Sequence, residues 1–205
     1  MVRNLKISLA ILLLLTLLPG TAAWASPAMD QLRSTVDEVI RVLASPDLKK
    51  PGMARQRRQM LKGVIDQRFN YEEMSKQSLG ANWRSLSSSQ RAEFISVFAE
   101  LLERSYASKI ESYTNEKVVY QSEKLDNGYA EIRTLIKRPN DQISVNYRLF
   151  DRGGKWWIYD VVIEGVSLIS NYRSQFSRII GESSYADLLR RMRAKLQETQ
   201  SVEKL

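Results

Sequence analysis

The 205-residue chain carries 31 Lys and Arg against 23 Asp and Glu, a formal charge of +8, and contains neither Cys nor His. Those two absences exclude disulfides, thiol nucleophiles, Ser-His-Asp triads, imidazole bases and ordinary zinc sites, so any catalysis would fall to carboxylates, Lys or Tyr. With 43% hydrophobic residues, stability has to come from packing alone.

Residues 1–25 read as an export signal. Arg3 and Lys6 form a positive start, Ile7 to Leu18 is an apolar run short for a membrane span, and Ala23-Trp24-Ala25 offers small residues at a cleavage site. Cleavage is expected before Ser26, leaving 26–205 as a single domain, with an uncleaved anchor helix as the alternative, and the absence of Cys excludes lipoprotein anchoring. Losing Arg3 and Lys6 leaves 29 basic and 23 acidic residues, a balance of +6. For an exported protein this points to anionic lipid headgroups or acidic proteins rather than nucleic acid, with a plain solvated basic surface as the alternative.

Helical periodicity opens the domain. Leu32, Val36, Val39, Ile40 and Leu43 form one stripe of an expected helix over Asp30–Leu43, and Met60, Leu61, Val64 and Ile65 mark a second over Arg55–Phe69. Arg55, Arg57, Arg58 and Lys62 make the second helix basic, a candidate docking face alongside Arg190–Lys195 near the C-terminus. A short helix, Tyr71–Leu79, stops at Gly80, and Trp83 follows in a linker. Ser87 and Gln90 have capping-box spacing and open the longest helix, to about Tyr113, striped by Phe94, Val97, Phe98, Leu101, Leu102, Tyr106 and Ile110.

From Lys117 the period falls from 3.6 to 2. Val118–Leu125 and Tyr129–Lys137 read as strands joined by Asp126-Asn127-Gly128, a strong hairpin signal, and Ile143, Val145, Tyr147 and Leu149 alternate along a third. Asp151-Arg152-Gly153-Gly154 turns the chain into a fourth, Lys155–Glu164, apolar on both faces. Strict alternation groups Trp157, Tyr159, Val161 and Ile163 on one side and Trp156, Ile158, Asp160 and Val162 on the other. Gly165, Val166 and Ser167 are expected to turn into a helix striped by Leu168, Ile169, Tyr172 and Phe176 and ended by Gly181. Ser184 starts a last helix, frayed after Thr199. The fold class is thus α+β: a curved four-stranded antiparallel meander against several helices, with a nuclear-transport-factor-like cavity.

The run from Trp156 to Phe176, WWIYDVVIEGVSLISNYRSQF, together with Asn82-Trp83-Arg84, the Gln90–Phe98 segment, Leu101-Leu102 and Tyr106, resembles the MlaC family of periplasmic phospholipid-binding proteins, also called the toluene-tolerance auxiliary family. The likeness covers nearly all of the chain after the signal. It implies a periplasmic carrier, without cofactor or reaction, that moves phospholipid between an outer-membrane lipoprotein complex and an inner-membrane ABC transporter with an MCE-domain component.

An acyl-chain slot would draw on the apolar faces of these elements: Phe98, Leu102 and Tyr106 from the long helix, Val145, Tyr147 and Leu149 from the third strand, Tyr159, Val161 and Ile163 from the fourth, and Leu168 and Tyr172 from the following helix. The same stripes equally suit an ordinary core. Asp160 and Glu164, near Arg173, read as structural ion-pair or helix-start residues. Two other readings stay open: a small cavity enzyme of isomerase or dehydratase type working through Asp160, Tyr147 or Tyr172, and an adaptor whose cavity is filled by its own side chains.

Overall fold

A computed structural model describes residues 26–202; the expected export signal lies outside them. Helices α1 (Pro27–Ala44), α2 (Ala54–Asp66), α3 (Tyr71–Leu79) and α4 (Ser88–Glu111) precede strands β1 (Lys117–Asp126), β2 (Tyr129–Lys137), β3 (Gln142–Arg152), β4 (Lys155–Ile163) and β5 (Val166–Ser167), and α5 (Leu168–Glu182) and α6 (Tyr185–Val202) follow. The strands lie in sequence order in one antiparallel sheet. The expected α+β meander is therefore present, with five strands rather than four. Val166 and Ser167, expected as part of a turn, pair with Ile163 and Val162. Glu164 and Gly165 make that reversal at φ of 49° and 78°, and the Glu164 carboxylate accepts a hydrogen bond from the Ser144 amide.

Local chemistry sets most element ends. Asn127 and Gly128 take φ of 44° and 79°, the left-handed pair that a two-residue hairpin requires. Ser87 accepts from the Gln90 amide while the Gln90 side chain accepts from the Ser87 amide, completing the capping box on α4. Two ends differ from expectation. Gly181 lies inside α5, which ends at Ser183, and α6 continues past Thr199 to Val202. A helical glycine without a left-handed φ offers no cap, so α5 stops only where Ser183 leaves helical geometry at φ −142°.

Residues paired across strands share a face. Register therefore gathers Ala130, Ile132, Thr134 and Ile136 of β2 with Leu149, Tyr147, Val145 and Ile143 of β3, and these with Ile158, Val161 and Ile163 of β4, on what we call the inner face. Strand β4 reaches that alignment through a bulge. Arg148 pairs with Asp160 and Leu149 with Ile158, leaving Tyr159 as the extra residue. Strict alternation would put Tyr159 beside Val161 and Ile163. The bulge instead turns it to the outer face, where its ring lies 6.1 Å from both Tyr129 and Phe150.

Helix α1 packs on the inner face through Ala28 and Leu32, which join Ala130, Ile132, Leu149 and Ile158 in one apolar cluster. Gln31 pins it there: its side-chain oxygen accepts from the Trp156 amide at 3.0 Å and from Arg68 at 2.5 Å, and its nitrogen donates to the Gly154 carbonyl at 2.9 Å. A second core joins α3, α4, α5 and α6 around Phe94, Phe98 and Phe176, whose rings pack edge-on or tilted at 5.5 to 5.7 Å. Trp83, expected in a linker, is buried in this core on a 3-10 turn over Gly80–Ser85, with the Arg91 guanidinium 5.3 Å over its ring. A third, small cluster ties the end of α1 to α2 through Val42, Leu43, Leu48 and Leu61, with Ile110 and Tyr113 packed against it.

Candidate functional site

The stretch of β4 ahead of its short pairing with β5 holds the helical layer to the sheet. Ile158 donates its amide to the Arg68 carbonyl and accepts from the Asn70 amide, both at 2.9 Å, just before α3 begins. Further along, buried Asp160 accepts from the Ile169 amide at 3.1 Å, from the Ser167 hydroxyl at 2.6 Å and from Arg148 at 3.1 Å. A carboxylate on the first amides of α5 satisfies donors the helix leaves open and opposes the positive end of its dipole. Arg173 is not its partner; it donates to the Gln77 carbonyl at 2.6 Å.

The residues expected to line one slot fall into two groups. Phe98, Leu102, Tyr106, Tyr159 and Tyr172 belong to the helical core, whereas Val145, Tyr147, Leu149, Val161, Ile163 and Leu168 belong to the inner-face cluster. Phe98 and Leu149 are fully enclosed, at 0% exposure each, and present no surface to a ligand in this conformation. Leu168 and Tyr172 share a helix but not a neighbourhood. Leu168 reaches the sheet, while the Tyr172 ring stands edge-on to Phe98 at 5.1 Å.

Burial on the inner face changes in one direction. Ala130, Leu149 and Ile158, aligned across three strands beneath α1, are completely covered. Two rows further along, Ile163 and Tyr120 are only half-buried beside enclosed Val145, and in the next row Val118, Ile136 and Ile143 are all half-buried. Leu168 and Val36, also half-buried, border the same region. An apolar strip so placed, continuous with a core yet incompletely covered, can accept more hydrocarbon without dismantling what lies beneath α1. Tyr120, Ile136, Ile143 and Val36 were not among the expected lining residues. The signal for Tyr120 and Ile136 was present in the β1–β2 hairpin, whose register places Val118 and Tyr120 opposite Ile136 and Thr134, while Val36 and Ile143 lay on the apolar stripes of α1 and β3.

Two tyrosines bring polarity to this strip. Burial pushes the Tyr147 phenol up to about 12. Burial also raises Tyr120, helped by the nearby Asp37 carboxylate and by Tyr147. Both are therefore neutral hydrogen-bond donors at physiological pH. Most cations of the basic runs on α2 and α6 are paired within the chain. Arg57 and Arg58 meet Glu111, Lys62 meets Asp66 and Glu103, Arg190 and Arg191 meet Asp187, and Arg193 meets Glu93. Two surface depressions, one of about 400 Å³ around Lys62, Glu100 and Glu103 and one of about 210 Å³ around Thr35, Glu38 and Arg68, touch none of the expected lining residues. Among the described residues no acidic cluster could hold a metal, and no helix is long and apolar enough to cross a membrane.

Comparison with known proteins gives this geometry a context. The family model described as MlaC protein matches residues 33–194. The chain belongs to the MlaC family. It is 30% identical over 129 residues to the intermembrane phospholipid transport system binding protein MlaC of Haemophilus influenzae, a match spanning 60% of each chain. Its fold matches a phospholipid-binding protein from Ralstonia solanacearum, solved in complex with a phospholipid, with a TM-score of 0.77 at 21% identity over 85% of this chain and 99% of that one. The MlaC match begins inside α1 and ends inside α6, so it takes in the whole sheet and helices α2 to α5.

Proposed function

We propose that this protein is a periplasmic phospholipid carrier, its acyl chains held on the inner face of the sheet between α1 and the start of α5. The half-covered strip of Tyr120, Ile136, Ile143, Tyr147, Ile163 and Leu168 carries that reading. Family membership, the phospholipid named for the Haemophilus relative and the phospholipid bound by the Ralstonia protein support it. Residues 1–25 act as a cleaved signal and 26–205 as a single lipid-binding domain. The family resemblance further implies exchange with an outer-membrane lipoprotein complex and an inner-membrane ABC transporter bearing an MCE domain.

The energetics explain why such a carrier is needed. Each buried methylene is worth about 0.8 kcal/mol, so the roughly 30 methylenes of a phospholipid would cost on the order of 24 kcal/mol to expose to water. A shuttle lowers this barrier by offering apolar surface. It must also release its cargo, and a strip at the edge of a core allows that more readily than an enclosed cavity. An enzyme working through Asp160 is disfavoured because both carboxylate oxygens are engaged in holding α5. A phenol raised as Tyr147 is makes a poor base at neutral pH.

The test is native mass spectrometry and solvent extraction of protein expressed with its signal and purified from the periplasm. One phospholipid per chain is the expected result. Protein of apo mass throughout, after expression in a lipid-rich compartment, would overturn the reading.

A further inference from the structure

The polar groups at the margin of the apolar strip form an arrangement that the acyl-chain reading does not use. The Tyr120 hydroxyl is buried and has no hydrogen-bond partner among the described residues. A buried unpaired hydroxyl costs about 1–3 kcal/mol, which makes it a poor choice for a purely structural position. The Arg33 guanidinium, exposed on α1, lies 4.1 Å over the Tyr120 ring. Among the described residues Arg33 makes no hydrogen bond or ion pair, so its donors are open to a ligand. Tyr147 lies one row along the same face, close enough for its phenol to influence that of Tyr120.

Together these groups form a gradient. The outermost is a cation in water, the next a buried hydroxyl that can only gain by meeting an acceptor, and beyond them lie Ile136, Ile143 and Ile163. A phospholipid has the same order of chemistry: an anionic phosphate, glycerol ester oxygens that accept but cannot donate, then hydrocarbon. Resting on the carrier reading above, we propose that Arg33 binds the phosphate of the cargo lipid and that Tyr120 donates to an oxygen of the same phosphate, fixing the lipid with its headgroup at the α1–β1 margin. With its central carbon 4.1 Å over the ring, the guanidinium is held beside Tyr120 while its N–H groups can still reach phosphate oxygens. Asp37, one turn on from Arg33, puts a negative charge near Tyr120 that opposes any anion on its side, so the phosphate has to sit on the side of Arg33 away from it.

The experiment is a competition. Processed protein purified from the periplasm is exchanged against vesicles containing equal amounts of a phosphatidylglycerol and a diacylglycerol with the same acyl chains, and the bound ratio is read by native mass spectrometry. The wild type should favour the phospholipid by about tenfold, the discrimination of one charge-assisted hydrogen bond. Arg33→Gln and Tyr120→Phe should each reduce that preference at least threefold in the lipid that remains bound; Arg33→Lys should retain most of it. An unchanged ratio in both variants with lipid still bound would overturn the headgroup site and leave the carrier reading standing. A wild type without lipid would overturn both. A third arm adds inorganic phosphate at 10 mM: loss of the preference there, with phosphate retained by lipid-free protein, would reassign the site to free phosphate and overturn the lipid assignment.

Discussion

Asp160 carries the most concentrated structural burden of any single side chain. It is 2% exposed, touches β3 through Arg148, and receives the amide of Ile169 at the start of α5. Asp160→Ala would leave that amide and the Ser167 hydroxyl without an acceptor and should lower unfolding stability by about 3 kcal/mol, measurable as a shift in denaturant midpoint. Asp160→Asn keeps an acceptor and should cost less. Tyr147 predicts a pH effect of definite sign. Its folded-state phenol titrates near 12 against about 10 in an unfolded chain, so the native state keeps a proton that the unfolded state has lost. Its contribution is complete below pH 10 and is lost as pH rises from 10 to 12. Tyr147→Phe should therefore show a shallower fall in stability across that interval, by about 2 kcal/mol, in urea titrations at stepped pH.

At the scale of elements, α4 depends on a cap that is visible in the primary structure. Ser87→Ala removes one arm of the reciprocal Ser87/Gln90 pair and should cost about 1 kcal/mol of stability, with no change in bound lipid, since the cap is exposed and remote from the strip. Features of this kind were legible because a few adjacent residues determine them: the Asn127-Gly128 hairpin, the helix spacing of Phe94 and Phe98, the alternation of β3. The bulge at Tyr159 was not. In WWIYDVVI every position but one is apolar, so no alternation records a skipped residue, and the register follows only from β3 pairing opposite it. Strand β5 was hidden for a related reason, since two residues are too few to show a period. The candidate lining was correspondingly half legible. Apolar stripes identified which residues turn away from water, but the division between the helical core and the inner face depends on tertiary placement that spacing alone cannot encode.

Across the whole molecule, the sheet has one covered and one partly open end on the same face, and under the proposed carrier role that asymmetry would govern how a large apolar ligand binds and leaves. Under α1 the face is sealed by Leu32 and Ala28 and latched by Gln31 and Arg68, so lipid placed there would have to displace a helix held by several hydrogen bonds. Toward Ile136, Ile143 and Ile163 the face is half-covered already. Cargo should consequently protect the open end and leave the outer face unaffected. The natural chain has no cysteine, so a single introduced thiol reports its own surroundings without background. Ile163→Cys should react with a maleimide at least tenfold more slowly in lipid-loaded protein than in protein stripped of lipid, because acyl chains would exclude both water and reagent from that position. Val119→Cys, on the outer face and 37% exposed, should react at the same rate in both. Equal rates at position 163 in loaded and stripped protein would place the lipid elsewhere. A parallel slowing at 119 would mean that loading rearranges the whole sheet and not one end of it.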